Sequence, residues 1–257
     1  MTNTQVTLIQ LDNYGPWTVT PEPRPEPDLQ ALQSDLYADL SRLFGSRGAY
    51  VFFTRFDNMV AVTNGVDADT LAAVQETVGN RYPVSVSLST ATGASPAGAL
   101  STATARLQEA GGAQEAGRTE VLAGDPTTDA APDALQVAHF DVVDATGRYT
   151  DRLDAFSSFA RIEHTYVELL EHMHRQHDSL SFFVGGDNFI SVTADLDRAD
   201  FHGAVEAVEA AADVDLRVGV GRGAVATEAG MAAKHALEDA RERDVTVAGD
   251  LPARAER

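Results

Sequence analysis

The hydrophobic and polar positions along the chain predict one series of elements that occurs twice. Some short stretches alternate between apolar and polar residues, as half-buried strands do, and others repeat apolar residues every three or four positions, as amphipathic helices do. In the first half the predicted order is strand, helix, strand, strand, helix, strand, followed by a helix with a Ser-Pro start. The strands are predicted at 6–11, 49–54, 59–63 and 84–89, and the helices at 28–44, at 71–78 and from 95 onward.

The second half repeats the first half at a nearly constant separation. This order of elements predicts an α+β fold, with two tandem ferredoxin-like (palm-type) βαββαβ units, antiparallel sheets and helices on one face of each sheet. Recurrence at one offset indicates a duplication. The matching stretches are 5–15 with 135–147, 50–63 with 180–193, and 82–107 with 213–237.

A stretch rich in Pro, Asp, Thr and Ala separates the two halves and has no apolar period. We therefore predict a first palm domain at 1–122, a linker at 123–134 and a second palm domain at 135–257. The proline-rich segment 21–27 is predicted to be an extended loop after the first strand.

Composition narrows the classes of function and the location. The chain has 39 Asp plus Glu against 19 Lys plus Arg, a formal net charge of −20 and no Cys. These values disfavour thiolate zinc sites, nucleic-acid partners and anionic membrane surfaces. A single Lys, Lys234, and the strong acidity indicate a high-salt cytoplasm, where charge repulsion is screened. The N-terminus has no charged and apolar signal pattern, so we expect a cytoplasmic protein.

Four aspartates occupy similar places in the two halves. Asp12 follows the first strand and Asp57 lies in the first hairpin, while Asp141 and Asp187 lie 129 and 130 positions later. In a ferredoxin-like unit the hairpin turn lies at the C-terminal end of the central first strand, so each half should bring two carboxylates together. Paired carboxylates repel each other unless a cation lies between them, and Mg²⁺ prefers oxygen ligands. A two-metal phosphoryl site follows, with Asp144 as an assisting acid or a turn cap.

The alternative for each aspartate is a turn residue whose side chain bonds the local backbone. The recurrence in both halves favours the metal site over this alternative. His139 alternates with Asp141 on the predicted strand and therefore points to the same side, which makes it a candidate general base. His172, His174 and His177 are interpreted as a solvated helix face.

The hairpins resemble a known motif. GGDNF at 185–189 is similar to the GGDEF hairpin of diguanylate cyclases and to the hairpin of class III nucleotide cyclases, and HFDVVD at 139–144 is similar to their first strand. In the first half, Arg55 and Phe56 replace the two glycines. A second likeness spans nearly the whole chain: the stretches 10–40, 54–65 and 80–87, with GGDNF, resemble the archaeal GTP cyclohydrolase III family.

This resemblance implies a reaction and its cofactors. The family opens the imidazole ring of GTP at C8 and releases pyrophosphate, and the product is a formylaminopyrimidine ribonucleotide monophosphate. The resemblance implies Mg²⁺, with two or more ions per site, K⁺ as the activating monovalent cation, water as co-substrate, and a homotetramer or homodimer. The absence of cysteine agrees with a magnesium route rather than a zinc route.

The same resemblance suggests substrate-binding residues. Arg55, Arg24 and Arg222 are candidates for neutralising the triphosphate, with Arg55 counted as catalytic, although a surface ion pair is the alternative for each. Asn13 and Tyr14 are candidates for the nucleotide or sugar. Trp17 and Phe56 are candidates for stacking on guanine, with core packing as the alternative for Trp17. The hairpin residues assigned to the substrate are Asn58, Gly185, Gly186 and Asn188.

Two rival functions remain open from the sequence. One is a nucleotide cyclase, which would join the 3′-hydroxyl to the α-phosphate. A diguanylate cyclase would carry an acid after the hairpin Asp, where this chain has Asn58 and Asn188. The other rival is a nucleotide-sensing module without catalysis, against which the carboxylate pairs in both halves argue.

Overall fold

Each half of the chain forms one five-stranded sheet. The structure is a computed structural model that describes residues 3–115, 117–132 and 135–251. The outer ends of the two predicted domains, Ala116, and the last two residues of the predicted linker lie outside these ranges. Among the described residues, no helix has the length and hydrophobicity needed to cross a bilayer.

The first sheet has the strand order β2-β3-β1-β4-β5. Its four main strands pair antiparallel, and the short β5 adds in parallel to β4. The central position of β1 confirms the ferredoxin-like prediction. The elements are β1 (Thr4–Asp12), α1 (Tyr14–Val19), α2 (Glu26–Gly45), β2 (Tyr50–Phe53), β3 (Asn58–Val62), α3 (Ala68–Arg81), β4 (Ser85–Gly93), α4 (Pro96–Glu109) and β5 (Leu122–Ala123).

The second sheet has the equivalent order β10-β9-β6-β8-β7. Again the first strand of the half is central, and the last strand is parallel to its neighbour. The elements are β6 (Leu135–Val142), a π-helical turn (Thr146–Thr150), α5 (Ala155–His177), β7 (Leu180–Gly185), β8 (Asn188–Thr193), α6 (Arg198–Ala212), β9 (Leu216–Gly223), α7 (Ala226–Glu242) and β10 (Val247–Gly249).

Local sequence explains where the helices begin. The Ser95 side chain accepts a hydrogen bond from the Gly98 N–H, and Pro96 occupies the first turn of α4. Asp197 and Asp200 form a reciprocal capping box at the start of α6. These caps satisfy backbone donors that the helix itself leaves free, and the predicted start of α4 at Ser95-Pro96 agrees with the observed one.

Helices cover both faces of each sheet, which corrects the expectation of helices on one face. In the second half, Phe140 and Val142 pack with α5 and α6, whereas Leu135 and Val137 have the opposite parity and pack with alanines of α7. The glycines of β9 permit this close packing of α7, because a Cβ on Gly221 would lie only 2.2 Å from a backbone nitrogen of that helix. The seventh helix therefore lies almost directly on the sheet.

The second layer also joins the two halves. The Ala97 N–H at the start of α4 donates to the Asp178 carbonyl, and the Thr227 N–H at the start of α7 donates to the Gly48 carbonyl. Ala97 and Thr227 are 130 positions apart in the sequence, and so are Gly48 and Asp178. Each bond is therefore the counterpart of the other. The two halves therefore pack about a pseudo-two-fold axis, with a shared apolar core that draws side chains from both.

The connection after β1 differs from the prediction. The short helix α1 follows the strand directly, and α2 already begins at Glu26, so only part of the proline-rich segment 21–27 is a loop. The Thr20–Pro21 peptide bond in this loop is cis. Proline supports the early start of α2, because Pro27 lies in its first turn, where no N–H is needed.

Candidate metal and nucleotide site

In the second half, Asp141 and Asp187 lie together where β6 ends. The Val142 N–H donates to the Asp187 carbonyl at 3.2 Å, which fixes the β7–β8 turn against the central strand. Asp141 is 7% exposed and has the parity of Val137, so it lies on the sheet face that carries α7. The structure therefore brings together the two carboxylates that the sequence predicted for this half.

One arginine neutralises part of this pair. The Arg241 guanidinium, in the last turn of α7, contacts Asp141 Oδ1 at 2.7 Å, and this hydrogen bond raises the pKa of Arg241. Burial raises the pKa of Asp187 above its ordinary value, and the neighbouring Asp141 charge raises that pKa further. Among the described residues, Arg241 is the one cation in ion-pair contact with these two carboxylates, so the pair keeps an excess negative charge.

The amide of Asn188 links Asp187 to His139. Asn188 Nδ2 donates to Asp187 Oδ1 at 2.8 Å, and Asn188 Oδ1 lies 3.0 Å from His139 Nε2. With the amide oriented this way, His139 Nε2 must carry the proton and donate it to Asn188. Burial lowers the pKa of His139, so its ring is neutral near pH 7. His139 thus orients Asn188 through Nε2 and keeps a lone pair on Nδ1.

The turn between β7 and β8 is built from two glycines with positive φ, Gly185 at 108° and Gly186 at 66°. A Cβ added at Gly185 would meet no atom within 4 Å, and one added at Gly186 would meet only Asn188 Nδ2, at 3.8 Å. Positive φ explains why glycine is used here. The space above the turn, beside Asp187, is open to a ligand.

In the first half, Asp12 is enclosed by its own chain. Its carboxylate accepts hydrogen bonds from Ser87 Oγ at 2.7 Å, from Ser85 Oγ at 3.2 Å and from the Glu120 N–H at 2.8 Å. Arg118 Nη1 lies 3.8 Å from Asp12 Oδ1, and the two side chains are 2% and 0% exposed. Within the part of the chain that the structure describes, no nitrogen of the Arg118 guanidinium has a hydrogen-bond partner.

The first hairpin also differs from the second. Arg55 Nη2 contacts Asp57 Oδ2 at 2.9 Å, so the residue that replaces Gly185 supplies a cation to the hairpin acid. Asn58 Nδ2 donates to Asp57 Oδ1, and Gln10 Nε2 donates to Asn58 Oδ1. Each hairpin therefore has the same Asn–Asp contact, with Gln10 supplying the donor in the first half.

The pairing register shows that Asp12 and Asp141 do not occupy equivalent positions, which corrects the prediction. Gln10 pairs with Asn58, and Asp141 pairs with Asn188, so Gln10 occupies the position of Asp141. Asp12 lies two residues farther along, beyond the last pair of β1 with β3. The sequence separation of 129 suggested equivalence because both aspartates end a strand, but register is set by cross-strand pairing.

The donor set of the second half suits a divalent cation. Within the described ranges, no three or more His, Cys, Asp or Glu side chains form a group that could hold a metal ion. A carboxylate pair that one arginine neutralises only in part fits Mg²⁺, which ordinarily binds one or two carboxylates and takes water or phosphate oxygens for the rest. Asp141 and Asp187 are the residues that would hold it.

The residues predicted to contact the base and sugar have partners within the first half of the chain. Tyr14 and Trp17 stack at 5.9 Å and pack against the core, and the Arg24 guanidinium lies 4.3 Å over the Trp17 ring. The Asn13 N–H donates to the Ala113 carbonyl. Phe56, at positive φ, stacks on Phe53 at 4.7 Å. The structure thus favours core packing for Trp17, and Arg24 occupies one face of its ring.

Arg222 does not lie at the carboxylates, which corrects its assignment to the triphosphate at that cluster. It pairs with Gln136 near the start of β6, whereas Asp141 pairs with Arg217 near the end. Five residues of strand separate the two positions, or about 17 Å. Arg222 instead forms an ion pair with Asp195.

Asp144 is a turn residue. It has φ 53°, its Oδ1 accepts from the Gly147 N–H at 3.3 Å, and its carbonyl accepts from the Arg148 N–H. Of the two roles considered for Asp144, the structure shows the local cap.

Sequence reasoning missed Arg241, Arg118 and the serines that contact Asp12. In the sequence, nothing distinguishes Arg241 from the other charged residues near the end of the last helix. Only the packing of α7 on β6 brings it to Asp141. The alternation of Ser85 and Ser87 on β4 was a usable signal, because serines at every second position form a polar stripe on one face of a strand.

Known proteins resemble this chain over nearly its whole length. The model of the GTP cyclohydrolase III family matches residues 6–252. GTP cyclohydrolase III 1 of Halobacterium salinarum is 63% identical over 96% of this chain and 98% of that protein. GTP cyclohydrolase III of Natronomonas pharaonis is 62% identical over the same shares of the two chains.

Among solved structures, the GGDEF domain of a Pseudomonas aeruginosa protein covers 46% of this chain and 83% of that chain, with 17% identity and a TM-score of 0.38. The fold assignment rests on the strand order of the chain itself. The family match and the two relatives both extend across the two halves, from β1 to β10. The chain therefore belongs to the GTP cyclohydrolase III family.

Proposed function

We propose that the chain is a Mg²⁺-dependent GTP cyclohydrolase of the IIa type, which opens the imidazole ring of GTP at C8 and releases pyrophosphate. The product is 2-amino-5-formylamino-6-(5-phospho-D-ribosylamino)pyrimidin-4(3H)-one. One water opens the ring, so that C8 becomes the formyl carbon, and another water cleaves the bond between the α- and β-phosphates. The observation that carries the proposal is the Asp141–Asp187 pair beside an open glycine turn, in a chain of this family.

The carboxylates supply the charge that a metal nucleotide requires. Asp141 and Asp187 would hold Mg²⁺, which lowers the pKa of a bound water and stabilises charge on phosphate oxygens. Free GTP would be repelled by this pair and by the net charge of −20. The site should therefore take GTP only together with a cation, which gives the chain discrimination against the free nucleotide.

Protein groups then hold and orient the nucleotide. The Gly185–Gly186 turn lets phosphate oxygens approach the backbone without a side chain in the way. Arg241 reaches the pair from α7 and is 37% exposed, so its guanidinium can also contact a phosphate. His139 and Asn188 hold the Asp187 carboxylate in one orientation. These contacts favour His139 as a positioning residue rather than as the base.

Family membership also carries predictions about conditions and assembly. We predict that K⁺ activates the enzyme and that the chain forms a homodimer or a homotetramer. We also predict that the protein is located in a high-salt cytoplasm. The acidic surface supports the last of these, because molar salt reduces the Debye length to roughly 3 Å and screens repulsion among the carboxylates.

One incubation tests the function. The full chain is mixed with GTP, Mg²⁺ and molar KCl, and the products are identified by mass. We expect the formylated, ring-opened monophosphate, and a phosphate assay with and without added pyrophosphatase identifies the second product. A cyclic nucleotide would show the cyclase activity instead, and unchanged GTP would indicate a sensing module. Either result would refute the proposal.

A further inference from the structure

Arg217 lies directly opposite Asp141 on the neighbouring strand. The two residues pair in the register of β6 with β9. Side chains of directly opposed residues project from the same face of a sheet, with Cβ atoms roughly 5 Å apart. Gly219 is two residues farther along β9 and is covered by α7, so this face is the one from which Arg241 reaches Asp141. A second arginine side chain therefore starts beside the open carboxylate pair.

The Arg217 guanidinium contacts a weak partner. Arg217 Nη2 lies 2.9 Å from Asp244 Oδ1, and Asp244 is its one ion-pair partner among the described residues. The Arg217 side chain is 17% exposed, whereas that of Asp244 is 93% exposed. An ion pair with a carboxylate that stays almost wholly in water contributes little, because water competes for the same oxygens. An anion that makes better contacts can therefore replace Asp244.

The fold does not depend on this contact. Asp244 lies in the segment 243–246, which connects α7 to β10. Backbone bonds already fix that segment, because the Val218 N–H donates to the Thr246 carbonyl at 2.9 Å and β10 pairs in parallel with β9. The contact between Arg217 and Asp244 is therefore an addition to a connection that the backbone already holds.

The first half has a serine at the position that matches Arg217. In the pairing register Gln10 matches Asp141, and the residue opposite Gln10 on β4 is Ser87. Ser87 donates a hydrogen bond to a carboxylate of its own half. Because β4 and β9 are equivalent strands, the strand forms without an arginine at this position. Arg217 thus belongs to the half that has the open carboxylates.

The distance across the site suits an elongated anion. Strands β8 and β9 flank β6 on opposite sides, and Asn188 and Arg217 both pair with Asp141. These two residues are thus two strand spacings apart, or about 10 Å. Asp187 precedes Asn188 in the hairpin, so this acid and the arginine lie on either side of Asp141. A chain of phosphates can extend from one to the other, and a guanidinium binds phosphate oxygens through paired N–H groups.

We propose that Arg217 exchanges Asp244 for the β- and γ-phosphates of GTP, which are the part of the nucleotide that leaves as pyrophosphate. The inference rests on the proposed function, and it deepens that function by naming a residue for the polyphosphate end of the substrate. The exchange favours the bound nucleotide, because Asp244 is hydrated when it is released and the phosphates offer several acceptor oxygens. Arg217 thereby selects a triphosphate over a monophosphate, which has no group that reaches it.

Ligand binding tests this inference without turnover. Pyrophosphate and guanosine 5′-monophosphate are titrated separately into the full chain with Mg²⁺ in molar KCl, and each affinity is measured by isothermal titration calorimetry. We expect Arg217→Gln to weaken pyrophosphate binding about 10- to 100-fold, since it removes hydrogen bonds to a charged group, and to leave the affinity for the monophosphate unchanged. Asp244→Asn keeps the arginine and removes its competitor, so it should strengthen pyrophosphate binding about two- to fivefold.

The matched control is Arg222→Gln, because Arg222 lies on the same strand, also pairs with an exposed aspartate, and is about 17 Å from Asp141 along the strands. It should leave both affinities unchanged, and circular dichroism checks that every variant folds.

Three results would overturn the inference: no pyrophosphate binding by the wild type, unchanged pyrophosphate binding in Arg217→Gln, or weaker binding in Asp244→Asn. The last of these would show that the ion pair only supports the fold. Turnover of GTP by the wild type is measured in parallel. Selective loss of pyrophosphate binding in Arg217→Gln, without a ring-opened product from the wild type, would refute the proposed function and leave the phosphate contact standing.

Discussion

Phe52 and Phe182 stack face to face, with ring centroids 4.2 Å apart and an interplanar angle of 2°. They occupy equivalent positions in the two halves, 130 residues apart, so the contact joins one position of the repeat to its own copy. Such a self-complementary contact must lie on the pseudo-two-fold axis. Both rings are about 5% exposed, and they belong to the apolar core shared by the two halves.

Truncation of this stack should destabilise the whole chain. Phe182→Ala removes a buried ring from the shared core, so we expect a loss of about 3–5 kcal/mol in the free energy of unfolding, measured by urea denaturation. Phe159→Ala is the matched control, because that ring is 52% exposed, and its effect should stay within about 0.5 kcal/mol. Similar losses in the two variants would contradict a shared core.

The buried pair in the first half should matter more for stability than the exposed pair. Asp12→Asn leaves the Arg118 guanidinium buried without a counter-charge, and we expect a loss of about 3–5 kcal/mol in urea denaturation. Asp57→Asn breaks an ion pair whose arginine is 74% exposed, so its cost should be at most about 1 kcal/mol. A small effect of Asp12→Asn would show that Arg118 does not depend on its charge.

Asp187 should make stability depend on pH in a defined direction. Its pKa is raised in the folded state, so the folded protein binds this proton more tightly than the unfolded chain does. The resulting stability is present below the ordinary carboxyl pKa and is lost as the pH rises through the raised folded pKa. At neutral pH without divalent cations, Asp187→Asn should therefore have a higher Tm than the wild type.

Added Mg²⁺ should reverse this order, because a ligand that binds only the folded state stabilises it. The wild type should gain in Tm with Mg²⁺ concentration, and Asp187→Asn should gain much less. Differential scanning calorimetry at pH 4 and pH 7, with and without Mg²⁺, measures both effects. A lower Tm for the variant at pH 7 without Mg²⁺ would be inconsistent with the raised pKa.

Two substitutions separate a positioning role of His139 from a role as general base. His139→Gln keeps a donor for Asn188, as Gln10 does for Asn58, and should retain most of kcat. His139→Ala frees Asn188 and should reduce kcat about 10–100-fold, as the loss of a supporting hydrogen bond at a metal site does. Equal loss in both variants, together with loss of the acidic limb of the pH–rate profile, would instead identify His139 as the base.

Salt should act on stability through screening. With a net charge of −20, raising the salt concentration from about 0.1 M to about 2 M should raise the Tm by several degrees. Comparing KCl with choline chloride separates screening from specific activation: both salts should raise the Tm, and only KCl should raise kcat. A Tm independent of either salt would count against a high-salt protein.

The sequence alone determined the duplication, the α+β class and the strand–hairpin aspartates of the second half. These features are local: strand alternation, helical spacing and the Gly-Gly-Asp turn are written in neighbouring residues. The central placement of β1 and β6 also followed from the order of elements. The order of elements did not reveal the face covered by α4 and α7, because the close approach of α7 depends on how the β9 glycines meet its backbone.

Only the tertiary structure decided which carboxylates are open. Sequence spacing made Asp12 and Asp141 look equivalent, whereas cross-strand pairing places Gln10 where Asp141 lies. Arg118 and Arg241 reach their aspartates over 106 and 100 positions of chain. Contacts of that separation depend on how the helices, and the segment that follows α4, pack on the sheets. Charge neutralisation, and with it the difference between the two halves, is therefore a property of the folded chain.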